Sequence, residues 1–288
     1  MMDSREFKED SMSLSVNTNI AAIEAYNNLN ATSNAMQTTI EQLSSGLQIQ
    51  TAADNAAGYV ISQGLQTQAN GLGVAINNGQ NAISVLQIAT GAMNQQVAIL
   101  QKMNELATQA ANAGTANTNS LNADQQEFAA LQSQLDQIAN STSFGSQQLL
   151  NGSYSNESFQ IGAYDSANDQ VVVSIGALTT GALGVSSTDI SISSASYALA
   201  AMSAVQNAIL AVASAEANIG AIQNQIQAIV ANDTVSQQNV QAANSTLVDT
   251  NMAQAMTKFS SQQILMQAGV AMLSQAQALP QLILKLLP

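Results

Sequence analysis

Apolar residues recur along this chain with the period of a coiled coil, in long stretches separated by segments with no period. Over residues 20–47, Leu29, Met36, Ile40, Leu43 and Leu47 share one helical stripe, a spacing that predicts an amphipathic helix. The run QTAADNAAG interrupts it, and Asp54, Asn55 and Gly58 mark a turn or helix boundary. From Leu72 onward, Ile76, Gly79, Ile83, Leu86, Thr90, Met93, Val97 and Leu100 follow in steps of four and three, the 3.5-residue repeat of a packed seam. A loop over 112–124 leads to a shorter helix carrying Phe128, Leu131, Leu135 and Ile138.

The middle changes character. Val171, Val173 and Ile175 alternate beside the turn-rich YDSAND and, with Ile190 and Ile192, predict a small β section over about 144–193. Helix returns at Tyr197. Val205, Val212, Ile219, Ile226, Val240 and Leu247 hold one heptad position, interrupted only by Asp233, with Ala208, Ala215, Ile222, Ile229 and Ala243 as companions. A last segment runs through Met252, Met256, Phe259, Met266, Val270 and Leu273 to Pro280. None of these stripes can be buried by its own helix, so the two ends of the chain must pair. The fold predicted is mainly α: long heptad-patterned helices from both chain ends packed as a coiled coil or helical bundle, with a small central β-hairpin section.

Composition narrows the class. Of 288 residues, 46% are hydrophobic, 3% aromatic and 8% charged, against roughly 25% charged in an ordinary soluble domain. Ala, Leu, Ile and Met suit helices in close contact rather than a bulky aromatic core. A net charge of −13, with five bases in all, leaves no basic patch for nucleic acid. With no Cys and no His, thiolate, imidazole and most zinc chemistry are excluded, and no metal or cofactor is expected. No secretory signal is visible, and ALPQLILKLLP falls short of the ~20 apolar residues of a membrane span. Residues 1–11 read as an extension before a natural start at Met12. The carboxylate pairs Asp165/Asp169 and Asp124/Glu127 read as turn and helix-start residues rather than catalytic dyads, so an enzyme is not expected.

Two long stretches carry a family resemblance. SVNTNIAAIEAYNNLN, IEQLSSGLQIQTAADNAAG, ISVLQIATGAMN and ELATQAAN resemble the N-terminal region of bacterial flagellin, and NVQAANSTLVDTNMAQAMTKFSSQQILMQAGVAMLSQAQALPQLILKLL is similar to its C-terminal region. The resemblance implies a structural subunit that is exported unfolded and polymerises at the distal tip of an extracellular filament. It implies an inner layer from about 12–56 and 249–288, in which Leu29, Met36, Ile40, Leu43 and Leu47 pack against Met256, Phe259, Met266, Val270 and Leu273. Residues 57–248 would form the next shell, packed through Ile83, Leu86, Met93, Val97 and Leu100 with Val205, Val212, Ile219 and Ile226. Large outer domains have no room. The partners implied are many copies of the chain itself, an export chaperone, and cap and hook-junction proteins. The alternatives are a hook–filament junction protein or, from another class, a secreted adhesin or effector.

Departures from the family pattern are few. Gln48 stands where flagellins usually carry Arg after SSGL. LQKMNELATQ resembles the segment read by the vertebrate innate flagellin receptor: Glu105 and Leu106 match, while Lys102 and Asn104 replace Arg and Ala130 replaces Glu. Loss of the bidentate guanidinium implies weak recognition. Few ion pairs also leave little for acid to break.

Overall fold

A computed structural model describes residues 18–112, 114 and 117–286, with side chains as far as 278 at the C-terminal end. The extension expected over 1–11 lies outside the described residues. Five α-helices, α1 (Ile20–Ser45), α2 (Ala56–Ala110), α3 (Thr118–Ser141), α4 (Ala195–Val248) and α5 (Met252–Leu286), carry most of the chain. Each of the first three starts, like α5, after an asparagine. Asn19 Oδ1 accepts from Ala22 N, Asn55 Oδ1 from Gly58 N, Asn117 Oδ1 from Ser120 N and Asn251 Oδ1 from Gln254 N. Such side chains satisfy donors that a helix start leaves unpaired. A neutral amide does here what Asp does elsewhere.

The chain forms two compact units, one from residues up to Gly64 together with those from Ala243 onward, the other spanning Leu65–Ala242. In the first, α1 packs along α5. Buried or half-buried seam positions on α1 include Ala22, Ala25, Leu29, Thr32, Met36, Thr39 and Leu43, and on α5 Ala255, Phe259, Gln262, Met266, Gly269, Leu273 and Ala276; Gln42 and Ala278 are also half-buried beside them. Both runs keep the alternating three- and four-residue steps of a coiled-coil seam.

In the second unit, α2, α3 and α4 enclose one core in which Leu86, Met93, Leu100, Phe128, Leu135 and Ile226 are fully buried. Close approach is built in at Gly79, where a Cβ would lie 2.4 Å from Val230 Cγ2. Strand β1 (Ser143–Phe144) pairs with β2 (Gln147–Gln148), and β3 (Glu157–Gln160) with β4 (Gln170–Val173), both antiparallel, the latter in register Glu157↔Val173 to Gln160↔Gln170. Val171 and Val173 point into the core while Val172 is exposed.

Ile190 and Ile192, expected in strand, lie in irregular chain. Helix side chains satisfy this segment in place of a ladder. Gln96 Nε2 donates to Leu178 O (3.0 Å), Gln132 Nε2 donates to Val185 O (2.8 Å) and Gln125 Oε1 accepts from Ile192 N (2.6 Å). Asp136 accepts from both the N–H and the hydroxyl of Thr180. Helix α4 is long and apolar enough to cross a bilayer by length and composition, yet its seam residues Val205, Val212, Ile219 and Ile226 are in this core.

Candidate assembly interface

The first unit is built so that its two helices, from opposite ends of the chain, cannot slide. Helix α1 ends at Gly46, whose φ of +74° is the left-handed conformation that a glycine adopts without penalty; its N–H donates to Gln42 O at 2.9 Å. The turn that follows is then tied to the start of α5 through the backbone: Gln48 N donates to Val248 O (2.6 Å) and Thr250 N to Gly46 O (2.8 Å), around a bridge between Leu47 and Asp249. At the far end, Asn19 Nδ2 donates to Ala276 O at 2.7 Å. Between these ties, Gly269 receives Leu29, whose Cδ1 would be 3.1 Å from an added Cβ. Thr39 and Gln262 add polar seam positions, which specify register at some cost in stability.

The connection from α1 to α2 is held by one carboxylate. Asp54 Oδ2 accepts from Thr51 N (2.9 Å), Gln50 N (3.1 Å) and Thr51 Oγ1 (3.1 Å). The backbone N–H of Thr51, then that of Gln50, keep its pKa below the ordinary value. Beyond it, Gly58 lets α2 begin against Ile49, whose Cδ1 would be 2.6 Å from an added Cβ. An open polar groove of about 580 Å³ lies beside this turn, with Gln42, Gln48, Asp54, Asn251, Gln254 and Lys258 on its walls.

The expected seam residues divide in two. Leu29, Met36, Leu43, Phe259, Met266 and Leu273 are half-buried between the helices. Ile40, Leu47, Met256 and Val270 are not; each is exposed. The companion position on both helices belongs to Ala, Thr, Gln and Gly, because only small or slender side chains fit where the backbones come this close. The large apolar residues beside the seam therefore point away from it. Ile20, Ile23 and Tyr26 on α1 and Met252, Ile264, Leu265 and Met272 on α5 do the same, with Ile264 66% and Met272 64% exposed. Met252 was expected on the stripe and is exposed instead; the others fall outside it, where the sequence signal is an excess of apolar residues over what two heptad positions can hold.

The second unit repeats the pattern with a different outcome. Leu86, Met93, Leu100, Val205, Val212, Ile219 and Ile226 are buried in its core, while Ile83 and Val97 pack only at its edge. Their places in the seam are taken by Ala82 and Gln96, as that of Thr90 is by Ala89. Lys102 and Glu105 are exposed and form an ion pair at 3.2 Å. Leu106, expected to face a receptor, is instead buried in the core, because it falls one step from Met103 and Ala107 on the packed side of α2. Among the described residues no three carboxylates gather where they could hold a metal.

The family model of the bacterial flagellin N-terminal helical region matches residues 16–155, and that of the C-terminal helical region matches residues 202–287. The chain belongs to the bacterial flagellin family. It is 37% identical to the flagellin of Bacillus subtilis over 94% of this chain and 99% of that protein. It is 47% identical to flagellin D of Vibrio anguillarum over 53% of this chain, but spans only 40% of that longer relative. A Vibrio parahaemolyticus structure described as a flagellar hook-associated protein shares the fold, with a TM-score of 0.57 at 10% identity over 67% of this flagellin and 99% of that chain. At its length the flagellin is a short form. Its family is one of structural proteins, not of enzymes.

Proposed function

We propose that the chain is the structural subunit of a bacterial flagellar filament, the extracellular helical propeller of swimming cells. The observation that carries this reading is the second set of large apolar residues on α1 and α5, left outside a seam that is already closed. Contiguous exposed apolar surface marks an interaction site, and a subunit surrounded by copies of itself can bury it on every side. In the exposed remainder of both helices Gln, Ser, Thr and Asn far outnumber the charges Glu24, Glu41 and Lys258, so amides and hydroxyls can find partners on a neighbour without the larger cost of desolvating ions.

In this reading the paired chain ends, about 12–56 and 249–288, form the inner layer, and residues 57–248 the shell around it. Export in an unfolded state, with a chaperone before assembly and cap and hook-junction proteins at the two filament ends, completes the set of partners. The exposed Lys102–Glu105 pair on α2 makes a poor substitute for an arginine-bearing receptor epitope, and weak activation of the vertebrate flagellin receptor is expected in a reporter-cell assay. The decisive experiment is seeded growth. Purified protein added to sheared flagellar fragments should extend them as long uniform tubes under negative-stain electron microscopy. Binding at the seed ends without extension would instead indicate a junction protein.

A further inference from the structure

One residue of the α4 seam is wrong for a seam. Asp233 falls on the heptad position of Val205, Val212, Ile219 and Ile226, and only 9% of it is exposed. Its Oδ2 is buried without a hydrogen-bond partner. Its neighbours one turn away hold α4 against α2: Val230 lies over Gly79, and Gln237 Nε2 donates to Ala69 O at 3.0 Å. The side chain is therefore set in a packed stretch of both helices.

The β3–β4 hairpin, which carries a second acid, reaches the same stretch of α4: Val230, Ile226 and Ile161 all lie within 4 Å of where a Gly79 Cβ would be. Its end, residues 161–169, is pinned to α2, since Asn78 Nδ2 donates to Gln160 O at 3.0 Å and Gly71 lies against Ala163. Ile161 N donates to Asp169 O at 2.8 Å. The Asp169 carboxylate rests directly on Gly162, where an added Cβ would be 2.1 Å from Oδ1. Asp169 so placed acts on Asp233 through its charge. Among the described residues no ion pair answers either of them. Helix α2 has no ionisable side chain between Tyr59 and Lys102, and Lys102 is paired with Glu105. The hairpin end adds only Asp165 and Tyr164, and the nearest ionisable residues along α4 and its end are Glu216 and Asp249.

We propose that Asp233 is an acid-operated latch: it takes up a proton as the pH falls, and the hairpin end at 161–169 then seats more firmly against α4 and α2. A buried carboxylic acid costs far less than a buried carboxylate beside another negative charge. Burial first, and Asp169 second, raise the pKa of Asp233 above its ordinary 3.8. A raised folded-state pKa contributes stability that is complete below the unfolded value and lost as pH rises through the folded one. The unit therefore gains stability on going from neutral pH down towards 3.8. This concerns the isolated chain and holds whether or not it forms filaments.

The test is thermal unfolding of the full-length, unassembled chain between pH 7 and pH 4, with Asp233→Asn and a control, Glu127→Gln, which removes one exposed carboxylate from α3. Asp233→Asn should raise Tm at pH 7 by about 2–4 °C, and the difference from wild type should close as pH approaches 4. Glu127→Gln should show no such convergence. Amide exchange over 161–169, corrected for intrinsic rates, should slow with acidification in the wild type only. If Asp233→Asn leaves Tm at pH 7 unchanged or lower, or if its offset is constant with pH, the latch is wrong. Should that variant fail to fold, Asp169→Asn must show the same convergence at smaller amplitude, and parallel curves would overturn the proposal.

Discussion

In the second unit the largest seam residues, Leu86, Met93 and Leu100, are fully buried; in the first, their counterparts Leu29, Met36, Phe259 and Met266 are only half-buried. The sequence periodicity is the same in both. What differs is what lies on the remaining sides. α3, the hairpins and the irregular stretch before α4 close around α2 and α4, whereas α1 and α5 have each other. A helix pair with one seam cannot fully bury large side chains, so burial in the first unit is left incomplete in a way that more copies of the chain can finish. The second unit closes its own core within one molecule, although Val74, Leu199, Leu210 and Val235 stay exposed on its outer surface.

The comparison is broken most directly by Ile264→Asp. A charge placed on an outward apolar face costs several kcal/mol when a neighbour must cover it, so seeded elongation should slow by at least about tenfold, at 1.4 kcal/mol per factor of ten, while Tm of the second unit is unchanged. Elongation at the wild-type rate would remove α5 from the assembly surface. Phe128→Ala should do the reverse. Emptying a fully buried aromatic site costs about 3–5 kcal/mol, lowering the Tm of the monomer by about 10 °C, with elongation retained well below that temperature.

A finer contrast comes from glycines within α2. Gly79→Ala must push Val230 aside, and overpacking of about 1–3 kcal/mol outweighs the ~1 kcal/mol that alanine adds to a helix. Gly91 faces open space, so Gly91→Ala should raise Tm by about 2–4 °C. The two substitutions, the same on paper, should have opposite signs in a thermal scan. The smallest effect belongs to pH. Asp54, with a lowered pKa, contributes stability present above its unfolded value of 3.8 and lost as pH falls through its lower folded value. The turn at residues 50–54 should loosen only below about pH 3.8, read as faster amide exchange at Gln50 and Thr51, whereas Asp233 acts above that pH and in the other unit.

Half of each seam was legible in the sequence. Leu29, Met36, Phe259, Leu86 and Val205 announce themselves by size and spacing. Their companions do not, since Ala25, Thr32, Gly269 and Ala82 carry little hydropathy, and larger neighbours such as Ile40, Val270 and Ile83 take their place in any reading that follows apolarity. Close packing selects for smallness, which a hydrophobic pattern does not record. The chain from 174 to 194 was misread for a related reason: its order comes from Gln96, Gln125 and Gln132, three amides far away in sequence, rather than from a local strand pattern. Leu106 was assigned to the surface by resemblance; it falls off the heptad register, one residue before Ala107, and is nonetheless covered beside Met103 and Ala107.

The hydrogen bond from Asn19 to the carbonyl of Ala276 joins residues 257 apart, about as long a loop as this chain can close. Contacts of such separation form late, because the entropy of closing the loop comes before any reward. α1 is the first helix to be made and must wait for the last. A chain cut short near its end would leave α1 without a mate, however well the middle had folded. The seam thus makes each extremity the other's only cover, and a copy lacking either one should fail to extend a seeded filament.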